Sequence, residues 1–228
     1  MKSKESLAGL VWFDPGSTTG VFSCFIESGW LRGEPDFAPT FAALGKAIHQ
    51  PYFEQLGNKA RREVVGNDAK RNVSRAFRET LNLNGDIVDL SCVIGAELPD
   101  YVHAETQIIA ASNQLLRSTA LWRCAWGYED FVPRSLNQSR EFLSPVRIFS
   151  ALTALELLAG DQRAPFTQSA SIAKTTVTDA RLQLAGLYRP GMPHAVDAAR
   201  HALTFFRRAR SSPKLRQQAW PHLFDPKG

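Results

Sequence analysis

Cysteine is scarce in this chain. Cys24, Cys92 and Cys124 are an odd number at wide spacings, with no CxxC pair and no zinc-ligand set. That excludes a disulfide framework and a cysteine zinc site, and reduced thiols in a cytoplasm are the expected state. Long apolar runs are missing too. No stretch approaches the ~18 uncharged apolar residues of a membrane span, so no membrane partner is expected. The apolar run near the N-terminus stops at Asp14 with no small-residue cleavage site after it, so it does not read as a signal peptide. Low-complexity tracts and internal repeats are absent, and a composition of 44% hydrophobic and 21% charged sets aside wholesale disorder, collagen and coiled coil. Charge is not strongly one-sided: 27 Lys and Arg face 22 Asp and Glu, for a net charge of +5 and a pI near 9.3. Such a balance permits a polyanionic partner without requiring one.

What is present is an ordinary globular composition, 44% hydrophobic and 21% charged over 228 residues. A chain of that length buries a sizeable core without disulfide or metal staples. Leu10-Val11-Trp12-Phe13 reads as a buried strand ending at Asp14, and Gly20–Ile26 as a second strand; the polar turn between them makes a hairpin. Residues 28–86 read as a mostly helical insertion. Phe41, Leu44 and Ile48 stand at helical spacing within 37–55, and 59–79 is charge-dense with one basic face, which is also how a solvated helix surface reads. Further on come a strand over 87–95, a helix over 103–116, a strand from Trp122 ending near Glu129, and a polar loop over 133–142. A helix opens at Ser144-Pro145 and runs to about Ala159. A short strand over 164–168 precedes a helix over 171–185 and a strongly amphipathic final helix over 194–210. The expected organisation is one domain over 1–210, with the insertion between its second and third strands, and a basic C-terminal tail over 211–228. Strands alternating with helices after an initial meander give an α/β class with a mixed sheet.

Carboxylates stand at the ends of three apolar elements. Asp14 ends the first strand, Glu129 ends the strand entered at Trp122, and Asp197 lies one turn into the final helix. His194 precedes Asp197 by three residues and so shares its helix face. Hard divalent cations take oxygen ligands, and two such ions about 4 Å apart can activate a water and stabilise the leaving oxygen in phosphodiester cleavage. Basic residues nearby would hold a nucleic acid backbone.

Asp14-Pro15-Gly16-Ser17-Thr18-Thr19-Gly20, Tyr128-Glu129-Asp130-Phe131, the polar segment Gln168 to Lys174, and His194-Ala195-Val196-Asp197-Ala198 occur in that order. In these motifs the chain resembles the RuvC-like Holliday junction resolvases of the ribonuclease H-like superfamily, especially those of bacteriophages. The resemblance covers residues 10–26 and about 87–210. It implies a ribonuclease H-like fold with a mixed central sheet flanked by helices, the 28–86 insertion being an addition to it. It also implies that Asp14, Glu129 and Asp197, with His194 as fourth ligand or proton-handling group, bind two Mg2+ or Mn2+ ions. Lys174 would hold the scissile phosphate. Arg134, Arg140, Arg147, Arg207 and Arg208 would grip DNA phosphates, and Tyr101 or Phe131 would stack on an unpaired base or pack in the core. Glu97 is the rival for the central carboxylate. Glu129 is preferred because the family places a helix before its glutamate strand and keeps a similar interval to the last aspartate. His201, four residues after Asp197, reads as a surface histidine within reach of the site.

The implied activity is a metal-dependent endonuclease resolving four-way or other branched DNA, acting as a homodimer in the cytoplasm, that of a host if phage-encoded. Two alternatives stay open: a ribonuclease H-like nuclease cutting RNA–DNA hybrid, and a non-catalytic branched-DNA-binding protein. An actin-type ATPase is set aside, since that fold needs two lobes and a second phosphate loop.

Overall fold

The computed structural model describes residues 7–16, 18–57, 82–83, 86–87, 105, 108–110, 112–113, 116, 124–131, 143–158 and 164–224. β1 (Leu7–Asp14) is buried at every position after Leu7, the mark of a central strand covered on both faces. β2 (Thr18–Glu27) folds back antiparallel on it, pairing Phe13 with Val21 and Asp14 with Gly20. Two short helices follow, α1 (Ser28–Arg32) and α2 (Phe41–Ala47), and then β3 (Ile48–Gly57), antiparallel to β2 at the sheet edge. β4 (Asn82–Leu83) and β5 (Asp86–Ile87) form a separate two-residue ribbon. β6 (Ala125–Asp130) runs parallel to β1 on its other side, and β7 (Phe166–Ser169) runs parallel to β6. The sheet order is therefore β3-β2-β1-β6-β7. This is the α/β class expected, a mixed central sheet flanked by helices.

Between β6 and β7 lies α3 (Ser144–Leu158). After β7 come α4 (Ala170–Thr176), α5 (Asp179–Leu184), α6 (Pro193–Ser211), α7 (Pro213–Ala219) and α8 (Pro221–Phe224). The period of two along a strand sorts β1 into two cores. Leu10 and Trp12 pack with Phe22, Ile26 and the buried face of α6, whereas Val11 and Phe13 pack with Val21, Trp126 and Ile148, Phe149 and Leu152 of α3. Each large side chain so buried contributes about 1.5–3 kcal/mol.

α6 positions the site. Its inner face begins with Ala195, Ala198, Ala199 and Ala202, all fully buried, and these small residues let the helix lie close on the sheet before Leu203, Phe205 and Phe206 fill the wider gap. Gly20 extends this close approach to β2, because a Cβ there would collide with the His194 carbonyl in the first turn of α6. The same turn motif that ends β1 thus provides the seat for the helix carrying His194 and Asp197.

Three expectations are corrected. Residues 28–57 are not a helical insertion: the helix opened by Thr40, whose side chain accepts from the Ala43 N–H, stops at Ala47, and β3 joins the main sheet. Pro51 is incompatible with continuing the helix and is tolerated in an edge strand, and Phe53 packs on Phe22 with ring centroids 5.0 Å apart. The helix expected over 171–185 is two, broken at Val177-Thr178, where the Val177 side chain turns into the core. The basic tail from Ser211 continues as α7 and α8. Trp220 is fully buried, and its indole N–H donates to the Gly9 carbonyl at 2.7 Å. The helix expected over 103–116 appears at Glu105, Ile108–Ala110, Ser112, Asn113 and Leu116. The basic stretch 59–79 and the strand expected over 87–95, apart from Ile87 in β5, lie outside the described residues. Among the described residues no helix is long and apolar enough to cross a membrane.

Candidate active site

β1 and β6 are parallel and end side by side. Their register pairs Phe13 with Tyr128, so Asp14 and Glu129 follow at the same sheet edge, and β7 adds Gln168 opposite Glu129. The carboxyl ends of parallel strands are where open α/β sheets commonly build sites. α6 crosses above and brings His194, Asp197 and His201 to that edge. His194 Nδ1 lies 3.1 Å from Asp14 Oδ2, and His201 Nε2 lies 2.9 Å from Glu129 Oε2. Lys174 Nζ, from α4, lies 3.2 Å from Asp197 Oδ2, and Arg200 Nε donates to Asp197 Oδ1 at 3.0 Å.

The electrostatics make this one site. Burial pushes the Asp14 carboxyl from its ordinary 3.8 up to about 6. The hydrogen bond and charge of His194 oppose the rise, and the negative charges of Glu129 and Asp197 add to it. Three acids from β1, β6 and α6 therefore share one field. Asp197 is gripped from the other side. Arg200 is buried, donates to Asp179 Oδ1 at 2.7 Å and to the Val177 carbonyl, and so ties Asp197 to the break between α4 and α5. Burial disfavours the Arg200 charge, and the bonds to Asp179 and Asp197 outweigh it, so its proton is held more firmly than usual.

Asp14, Glu129, His194, Asp197 and Lys174 are thus brought together. Of the arginines, Arg147 forms two bonds to Glu105, Nε to Oε2 at 2.9 Å and a terminal nitrogen to Oε1 at 2.5 Å. Arg207 lies over the Phe41 ring, 4.7 Å from its centroid, and Arg208 donates to Gln168 Oε1 at 3.4 Å. Phe131 is half-buried at the end of β6. Arg134, Arg140, Tyr101 and Glu97 lie outside the described residues. His201 departs from expectation, being fully buried rather than on the surface. Sequence reading also passed over Arg200 and Asp179, and took Gln168 only as part of a polar segment. The one signal for Arg200 and His201 was their spacing of three and four residues from Asp197.

Among the described residues no three His, Cys, Asp or Glu side chains already form a ready-made ligand group; each acid is bonded to a basic side chain of the protein. The donor chemistry fits a hard divalent cation nonetheless. It offers carboxylate oxygens from three elements and an imidazole, and positive charge would relieve the repulsion that Asp14 suffers from Glu129 and Asp197.

No protein-family model matches the sequence, and no curated protein matches it. Among solved structures, the chain is similar to Thermus thermophilus RuvC in complex with a Holliday junction substrate. That similarity has 15% identity over 90% of this chain and 96% of that one, with a TM-score of 0.49. It is also similar to a second Thermus thermophilus RuvC structure, with 15% identity over 89% of this chain and 96% of that one and a TM-score of 0.46.

Proposed function

We propose that the protein is a divalent-metal-dependent endonuclease that hydrolyses phosphodiester bonds in branched DNA, four-way junctions foremost, and that it acts as a homodimer. The observation that carries this reading is the shared field of Asp14, Glu129 and Asp197, on three separate elements, with His194 bonded to Asp14. Together with the ordered motifs that resemble the RuvC-like resolvases, this arrangement suits Asp14, Glu129, Asp197 and His194 as the ligands of two Mg2+ or Mn2+ ions. Bound there, such ions supply an activated water and stabilise the leaving oxygen.

The side chains around the acids have distinct tasks in this reading. His194 is half-exposed and engages Asp14 through Nδ1, so it orients that carboxylate at the mouth of the site. The Lys174 side chain is 57% exposed beside Asp197 and is placed to meet a backbone phosphate and steady charge on it. Arg200 keeps Asp197 in place while Lys174 exchanges partners. A four-way junction is two-fold symmetric, and a two-fold dimer matches it with one site per nicked strand.

The test is cleavage of a labelled synthetic four-way junction by the full chain, with linear duplex and RNA–DNA hybrid as controls, with magnesium and with chelator. Paired symmetric nicks confined to the junction and dependent on metal are expected. Cleavage of the hybrid instead moves the protein to a ribonuclease activity. Tight junction binding with no cleavage leaves a DNA-binding protein and overturns the proposal.

A further inference from the structure

The hydrogen bonds around His201 fix the position of its proton. Gln168 turns its amide nitrogen toward His201 Nδ1 at 3.1 Å and the His201 carbonyl at 3.5 Å. Its amide oxygen faces the Arg208 guanidinium at 3.4 Å. The reversed amide would set its N–H groups against a guanidinium that only donates, and its oxygen against the His201 carbonyl, so these two contacts of fixed polarity agree on one orientation. Nδ1 of His201 therefore accepts. The ring is neutral with its proton on Nε2, and that proton points at Glu129 Oε2, 2.9 Å away. The ring has no freedom to leave. Its side chain is 1% exposed, and it lies flat on the Trp12 indole with centroids 5.8 Å apart and planes at 7°. Each element contributes one part: β1 the stacking face, β6 the carboxylate, β7 the amide that selects the tautomer, and α6 the imidazole.

We propose that His201 is a positioning residue that locks the Glu129 carboxylate in its working orientation, with Gln168 as the group that sets its tautomer. The inference deepens the endonuclease reading and rests on it for its effect on cleavage, while the tautomer itself is independent of that reading. Any buried histidine needs a partner at each ring nitrogen; what marks this one is that the partner at Nε2 is a carboxylate of the candidate site, Glu129. Second-layer partners of this kind commonly change activity by about 10–100-fold when removed.

The experiment has two arms on the full chain. The first reads the histidine tautomer by two-bond 1H–15N NMR of 15N-labelled protein in chelator. Wild-type His201 is expected as the neutral Nε2–H form, and Gln168→Leu is expected to lose that preference. The second measures single-turnover junction cleavage and junction affinity. His201→Phe keeps the ring on Trp12 without the donor, and cleavage is expected to fall about 10–100-fold at unchanged affinity. His201→Gln places an amide N–H near the position of Nε2 and is expected to recover to within a few-fold of wild type. An Nδ1–H or charged ring in the wild type, or His201→Phe cutting at the wild-type rate, overturns the proposal. If His201→Phe does not fold, judged by circular dichroism, the wild-type and Gln168→Leu spectra still decide it: the Nε2–H form in the wild type and its loss in the variant support the lock, and any other result overturns it. A wild type that cuts no junction overturns the endonuclease reading, and the NMR arm then judges the lock on Glu129 by itself.

Discussion

Replacing Asp14 by Asn should abolish cleavage and at the same time make the metal-free protein more stable. Asp14 is 8% exposed, and its carboxyl faces His194 and Asp197 from α6 and Glu129 from β6. Its affinity for a proton is raised from 3.8 to about 6, so ionising it in the folded state is unfavourable. At about 1.4 kcal/mol per pH unit, this amounts to about 3 kcal/mol at neutral pH. The sign follows from linkage. Below pH 3.8 both folded and unfolded chains hold the proton and nothing is lost. Between 3.8 and about 6 the unfolded chain releases it while the folded chain keeps it, so stability falls as pH rises, and above about 6 the full loss is present. Asn imitates the protonated acid and still accepts the hydrogen bond from His194. The assay is thermal melting of both proteins in chelator from pH 4 to 8. The two curves should meet near pH 4, diverge through pH 6 and then run parallel. With about 2–4 °C per kcal/mol for a chain of this length, Asp14→Asn should melt about 6–12 °C higher at pH 7.5. A variant that melts at or below the wild type at pH 7.5, or a gap that does not change between pH 4 and 6, refutes the reasoning. In the paired activity assay the variant should bind junction DNA as well as wild type and fail to cut it.

Gly20→Ala forces backbone to move in the first turn of α6. It should destabilise by about 1–3 kcal/mol in urea titration and lose cleavage disproportionately, since His194 moves with that turn. Arg200→Met leaves the Val177 carbonyl and Asp197 short of a donor and should reduce stability by about 2 kcal/mol. Asp179→Asn, at a side chain 61% exposed, should stay within about 1 kcal/mol by the same titration. Trp220→Ala removes a fully buried indole and its bond to the Gly9 carbonyl, and a loss of about 3–5 kcal/mol is expected by denaturant unfolding; a loss under 1 kcal/mol would mean that α7 and α8 do not hold the core.

The parts of the fold legible in the sequence are those set by local chemistry. The run ending at Asp14, the tight polar turn to Gly20 and the amphipathic stripe from His194 onward each carry their own boundary signals, and β1, β2 and α6 stand where those signals put them. β3 was hidden because Phe41, Leu44 and Ile48 share helical spacing across a boundary that Pro51 and packing against Phe22 decide. The packed C-terminal helices were hidden for a similar reason: a stretch rich in Lys, Arg and Gln reads as solvated, and a single Trp220 reverses that once Gly9 offers its carbonyl. At the site, Asp14, Glu129, His194 and Asp197 were legible from the ends of elements. Their supporting partners were not, since His201 meets Glu129 across 72 residues and Gln168 across 33.

The partners of the acids divide by strength of charge. Asp197 carries two full cations, Arg200 and Lys174, whereas Glu129 is held by an imidazole whose other nitrogen, Nδ1, is engaged by Gln168. The strand-side acids, Asp14 and Glu129, thus face imidazoles rather than full cations; burial is the first cause of the raised Asp14 carboxyl, and the charges of Glu129 and Asp197 add to it. The cations differ in turn. Arg200 is buried and fixed by Asp179 and Val177, so it stays with Asp197. The Lys174 side chain is 57% exposed and its ion pair is of the kind worth about 1 kcal/mol or less, so it parts from Asp197 at little cost. The site thus combines a rigid anchor, a mobile cation and a pair of acids that face imidazoles. On the proposed function, that combination suits a chemistry in which positive charge and a polyanionic backbone must enter together.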